Sequence, residues 1–128
     1  MSFVLKEEQV ENLEKILNKI IDDGGATYAL LTDTGGNLLC KVGENSIDGT
    51  SLAVLSAANY AATKEIASLI GEKEFSLLFH RGQTENIHFT RVAPDILLIV
   101  LFKPYLSLGL LRLKVNSVKK EIKDILKA

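Results

Sequence analysis

Between residues 6 and 23, the apolar positions Val10, Leu13, Ile16, Leu17, Ile20 and Ile21 recur at steps of three and four, with Glu, Lys and Asn between them. This spacing predicts an amphipathic helix with one buried stripe. Asp22-Asp23-Gly24-Gly25 ends it, because glycine accepts the left-handed backbone that closes a helix. The pattern then changes to two short apolar runs, 27–32 and 38–42, separated by Asp33-Thr34-Gly35-Gly36-Asn37. Residues of that kind tolerate positive φ, so the segment reads as a β-hairpin.

Asp48-Gly49-Thr50-Ser51 offers oxygens to cap a second helix, which runs to about Ile70 and is closed by Gly71. Leu52, Val54, Leu55, Ile66, Leu69 and Ile70 are large and apolar, while Ala53, Ala57 and Ala61 form an i, i+4 row beside Ala58 and Ala62. Charge is nearly absent until Lys64. One core-facing stripe does not account for so much apolar surface, and a helix that is apolar all round is normally covered on more than one side. In a chain this small the second cover is expected to be another subunit, with Ala53, Ala57 and Ala61 letting two helices approach closely and Lys64 at the contact. The competing reading packs the alanine row on the chain's own sheet. Asn59 and Tyr60 interrupt the apolar surface and are expected as partner contacts.

Segments 74–80, 85–92 and 95–102 read as three strands rich in Phe, Ile, Leu and Val. Gly82-Gln83-Thr84 and Ala93-Pro94-Asp95 are turns short enough to make neighbours antiparallel. Ile96-Leu97-Leu98-Ile99-Val100-Leu101 is unbroken apolar sequence, as in a strand covered on both faces. After Pro104, Leu108, Leu111, Val115, Val118, Ile122 and Ile125 define a last helix with lysines outside its seam. The order is α-β-β-α-β-β-β-α. The predicted fold is α+β in the broad α/β class: an α/β/α sandwich whose five-stranded antiparallel sheet carries the central helix on one face and the N- and C-terminal helices on the other.

The 128 residues match one domain, 1–128, and 47% apolar against 24% charged residues supply a core. A net charge of −1, with both signs dispersed, argues against nucleic acid as partner. No run approaches the roughly 18 apolar residues of a membrane span, so no membrane insertion is expected. The acidic start of the sequence does not read as a signal peptide. Cys40 is the single cysteine, which excludes an intramolecular disulfide and fits a reducing cytoplasm.

Catalytic and ligand-binding signatures are weak throughout. Asp33-Thr34-Gly35 matches the triplet of aspartic proteases, but those are nearly all β and three helices argue for a plain hairpin turn. His80 and His88 fall on opposite faces if the loop between their strands is even in length, so no metal site is expected. Cys40 has no evident base beside it and reads as a structural thiol. Gly24-Gly25 and Gly35-Gly36 lack the Lys-Ser/Thr of a phosphate loop. No cofactor and no enzymatic activity of the chain itself are expected.

The element order, with Phe75-Ser76-Leu77-Leu78-Phe79-His80-Arg81-Gly82, Glu85-Asn86-Ile87-His88-Phe89, Leu98-Ile99-Val100-Leu101-Phe102 and Ser107-Leu108-Gly109-Leu110-Leu111-Arg112-Leu113, resembles the roadblock / dynein light chain superfamily, nearest its bacterial MglB-type members. The resemblance implies a homodimer in which the second helices pack together and the sheets join through the third strands, 74–80, adding Ser76 and Leu78 to the interface. It also implies a non-catalytic regulator that binds the GTP-bound form of a small Ras-like GTPase, as activator or scaffold in polarity, motility or trafficking. Some relatives carry a segment after the last helix that touches the GTPase, and the sequence here ends with that helix. An arginine finger would have to come from Arg81, Arg91 or Arg112. Arg81, beside a hairpin tip, is the partner-binding candidate, although a solvated turn residue is the simpler reading. The alternative functions are a small-ligand sensor of similar architecture, which would need a buried pocket with a few polar groups, and a plain dimerisation scaffold.

Overall fold

The computed structural model describes residues 4–43, 46–75 and 78–127. Its elements are α1 (Glu7–Asp22), β1 (Tyr28–Asp33), β2 (Leu38–Gly43), α2 (Gly49–Leu69), β3 (Leu78–His80), β4 (Asn86–Ala93), β5 (Ile96–Phe102) and α3 (Leu108–Lys127). All strand pairs are antiparallel, in the order β2-β1-β5-β4-β3. The hairpins β1–β2 and β4–β5 thus meet through β1 and β5, which places the all-apolar β5 at the centre.

Alternation along β1 and β5 divides the core into two layers. Ala29, Leu31, Ile96, Leu98, Val100 and Phe102 face α1 and α3, where Leu13, Leu17, Ile20, Leu111, Val115 and Ile122 cover them. Tyr28, Leu30, Leu97, Ile99 and Leu101 face α2, where they meet Ala53 and Tyr60. The predicted sandwich is therefore present, with the central helix alone on its face.

Local chemistry fixes the ends of the elements. Gln9 accepts from the backbone N–H of Lys6 at 2.9 Å and donates to the Ile125 carbonyl at 3.0 Å, which ties the start of α1 to the end of α3. The Asp48 carboxylate caps α2, accepting from the Ser51 N–H at 3.1 Å. Gly71, at φ 86°, closes α2, with Gly71 N–H donating to Ser68 and Glu72 N–H to Ala67, the paired bonds of a Schellman motif.

Asp33 is fully buried, and its Oδ1 accepts from the N–H groups of Gly35 (3.0 Å) and Asn37 (2.9 Å), with the Asn37 side-chain amide as a further donor. The carboxylate organises the hairpin, which is the turn reading of Asp33-Thr34-Gly35. The third strand is shorter than the 74–80 expected: Glu74 and Phe75 lie outside it, because Glu74 is drawn into side-chain bonds with Tyr60 and Arg91. Ser76 lies outside the described residues.

Candidate docking surface

The outer face of α2 is apolar and uncovered. Val54, Leu55, Ile66, Leu69 and Ile70 are between 52% and 86% exposed, and Ala58, Ala61 and Ala62 are exposed among them. Clustered apolar exposure of this kind marks an interaction surface, unlike scattered single residues. The short edge strand β3 pairs with β4 on one side only, and its half-buried Leu78 packs toward the layer under α2.

The alanine row is not where the sequence suggested. Ala53 is fully buried in the layer between α2 and the sheet and Ala57 is 4% exposed, so neither is free to meet another subunit. An i, i+4 row advances about 40° around a helix at each step, which carries the third member, Ala61, into the open. Sheet packing thus accounts for the first two alanines, and the small residues on the outer face are Ala58, Ala61 and Ala62. Lys64, four residues after Tyr60, lies on the stripe of Ala57 and Tyr60 and is exposed.

Tyr60, expected as a partner contact, is 8% exposed and belongs to the interior. Its hydroxyl donates to Glu74 Oε2 at 2.9 Å, and Arg91 donates to the same carboxylate from Nε (3.1 Å) and Nη2 (3.0 Å). The Arg91 guanidinium, followed by the Tyr60 hydroxyl, holds the Glu74 carboxyl below its usual pKa; burial, then Glu74, raises that of Tyr60. This clamp fastens the segment after α2 to β4 and occupies Arg91. Asn59 is half-buried, its carbonyl accepting from the Thr63 hydroxyl at 2.8 Å. Arg81 is exposed at the end of β3, its guanidinium 5.7 Å from the Phe79 ring centroid.

The β3–β4 register pairs Phe79 with His88 and His80 with Ile87, so the two histidines do lie on opposite faces. His88 is 4% exposed, beside Thr90 Oγ1 at 3.1 Å, and burial, reinforced by Arg112 and Lys119, lowers its pKa to about 4. Cys40 is buried and its thiol is pushed up to about 12, chiefly by burial, which makes it unreactive. Among the described residues no three of His, Cys, Asp and Glu converge as metal ligands, and no helix is long and apolar enough to cross a membrane.

The large apolar residues of this surface were visible in the sequence as an excess over one core stripe, but the outward members could not be separated from the inward ones. In a helix apolar all round, periodicity does not fix which side meets the sheet. Comparison with known proteins agrees with this architecture. The Roadblock/LC7 domain model matches residues 12–102. The structure is similar to that of Myxococcus xanthus MglB, with 35% identity and a TM-score of 0.89 over 98% of this chain and 95% of that one. It is also similar to the gliding protein MglB from Thermus thermophilus, at 28% identity and a TM-score of 0.87 over 98% and 96%. An uncharacterized protein of Aquifex aeolicus (strain VF5) is 25% identical over 130 residues, covering 99% of this chain and 80% of its own length. The matched domain model and the likeness to MglB along nearly the whole chain show that this protein belongs to the Roadblock/LC7 family.

Proposed function

We propose that the chain is a homodimeric, non-catalytic regulator of a small Ras-like GTPase, acting in the cytoplasm on the GTP-bound form. The observation that carries this reading is the uncovered apolar face of α2, together with a one-sided edge strand β3, in a chain similar to MglB almost from end to end. Two copies joined there would bury Val54, Leu55, Ala58, Ala61, Ala62 and Ile66 against each other, with Lys64 at the rim, and would extend the sheet through β3 at Leu78, a contact to which the family resemblance adds Ser76. Each large aliphatic side chain fully buried in that way contributes about 1.5–3 kcal/mol. Asn59 and Arg81 remain available to a GTPase at the margins of the dimer.

Recognition of the GTP-bound form follows from the ordering of switch segments by the γ-phosphate, which presents a surface that the GDP form lacks. Regulation through the GTPase's own catalytic groups is favoured over an inserted arginine. Arg91 is held by Glu74, Arg81 lies over Phe79, and Arg112 is on α3, across the sheet from the α2 face. The sensor alternative has less support, since side chains of the two core layers fill the space between the sheet and its helices.

Single-turnover GTP hydrolysis by a small Ras-like GTPase of the same host tests the proposal. Addition of this protein is expected to accelerate hydrolysis by about tenfold or more, short of the roughly 10⁵ reached with an arginine finger. Binding of the GTP form without acceleration would leave a scaffold, and failure to bind either form would remove the GTPase from the account.

A further inference from the structure

The two flanks of α3 differ in charge. α3 carries six cations, Arg112, Lys114, Lys119, Lys120, Lys123 and Lys127, against two acids, Glu121 and Asp124. On the flank beside α1 the charges are paired: Lys114 with Asp23 at 3.2 Å, and Glu121 with Lys19 at 3.1 Å. The opposite flank presents Arg112, Asn116, Lys119 and Lys123, residues that helical spacing places on one side over about 16 Å. Among the described residues none of these three cations has an ion-pair partner.

That flank overlooks a step in the molecule. α3 packs on β4, while β3 lies one strand further out at the edge of the sheet. The register puts Phe79 of β3 on the same face as His88, hence on the α3 side, where half-buried Phe79 stacks on Phe102 and carries the Arg81 guanidinium. The step therefore has an aromatic floor and a cationic wall. Lys119 feels this crowding: partial burial, then Lys123, Arg112 and Arg91, lower its pKa, and Glu74, already engaged by Arg91, offsets this only in part.

We infer that this flank of α3, running from Lys123 at the β4–β5 turn through Lys119 to Arg112, with Arg81 over Phe79 on the floor of the step beside β3, is a docking groove for an acidic segment of a protein partner. Charge complementarity selects the class of ligand: an unneutralised row of cations favours a segment whose carboxylates repeat along a comparable length. Lys119, at the middle of the row, is half-buried in a concavity that it shares with Phe75, Thr90 and Arg91, and such a recess favours a peptide side chain over a flat bilayer. The net charge of −1 means that the protein as a whole does not attract anions, so binding must come from a local field. The α3 cations lie on the face opposite α2 and do not depend on the GTPase reading, with which the groove shares only Arg81.

The test uses the full chain and a fluorescein-labelled helical peptide with glutamates at i, i+4 and i+7 spacing, followed by anisotropy, with the same peptide carrying glutamine as comparison. The glutamate peptide is expected to bind at about 20 mM salt and to weaken steeply by about 300 mM, while the glutamine peptide does not bind. Reversing Arg112, Lys119 and Lys123 to Glu should lower affinity about tenfold or more, and the neutral variant R112Q/K119Q/K123Q should do so with its thermal melt unchanged. Reversing Lys15, Lys41 and Lys73, which changes net charge equally, should leave affinity within about twofold. Equal loss in both charge-reversed triples, or no binding at low salt, would overturn the inference. So would preferential binding of phosphatidylserine vesicles or duplex RNA by the same residues, which would assign the groove to another class of macromolecule.

Discussion

His88 shows how one residue's surroundings set a property of the whole chain. The imidazole is buried beneath α3 with Thr90 beside it and the cations Arg112 and Lys119 nearby, and its pKa falls from 6.5 to about 4. The unfolded chain therefore binds a proton between those values that the folded chain does not, so stability rises with pH in that window. The contribution is complete above pH 6.5 and is lost as pH falls toward 4, amounting to roughly 3 kcal/mol. Urea unfolding at steps between pH 7 and pH 5 should reveal this slope, and His88→Gln should flatten it. A slope unchanged in the variant would place the proton elsewhere. Asp33 is the second case. Asp33→Ala strips a buried carboxylate from the N–H groups of Gly35 and Asn37 and should cost about 2–3 kcal/mol in thermal unfolding. Nothing in Asp33-Thr34-Gly35 by itself distinguished a turn organiser from a catalytic triplet; burial and bonding direction do.

For the elements, legibility tracks amphipathicity. α1 and α3 each carry one apolar stripe, and Leu13, Leu17, Leu111, Val115 and Ile122 were readable as core before any coordinates. β5 was readable as central because all seven of its residues are apolar. α2 was readable as a helix, with its Asp48 cap and Gly71 stop, but not in rotation, which is why Ala53, Ala57 and Tyr60 were expected outward and lie inward. The start of the third strand was misjudged at Glu74 because a glutamate bonded to Tyr60 and Arg91 is indistinguishable in sequence from a strand glutamate. The rotation gives a sharp pair of expectations. Ala57→Lys forces a cation under α2 and should lower the melting temperature severely, whereas Ala58→Lys, one residue on, should leave the melt nearly unchanged and shift the sedimenting species toward monomer. Leu55→Glu should behave as Ala58→Lys does. Retained mass in both Ala58→Lys and Leu55→Glu would show that α2 is not the contact between copies.

Across the whole molecule, the sheet order sorts the surfaces. Because β1 and β5 pair at the centre, β2 and β3 become the edges, and β3 is the edge whose Leu78 packs with the layer under α2. The opposite face is closed by α1 and α3, whose facing flanks neutralise each other and leave the remaining cations of α3 turned toward β3. One fold thus offers an apolar face on one side and a cationic step on the other. Sequence periodicity foresaw the layers but not the step, which needs the register of β3 against β4 and the position of α3 over β4. Whether this surface arrangement serves a GTPase, as proposed, is tested most directly by nucleotide-dependent capture. The tagged protein would be purified from its native host in parallel with a non-hydrolysable GTP analogue and with GDP, and the co-purifying proteins identified. The account predicts a small Ras-like GTPase enriched with the analogue and absent with GDP. A folded, dimeric protein that captures no GTPase under either condition would contradict it.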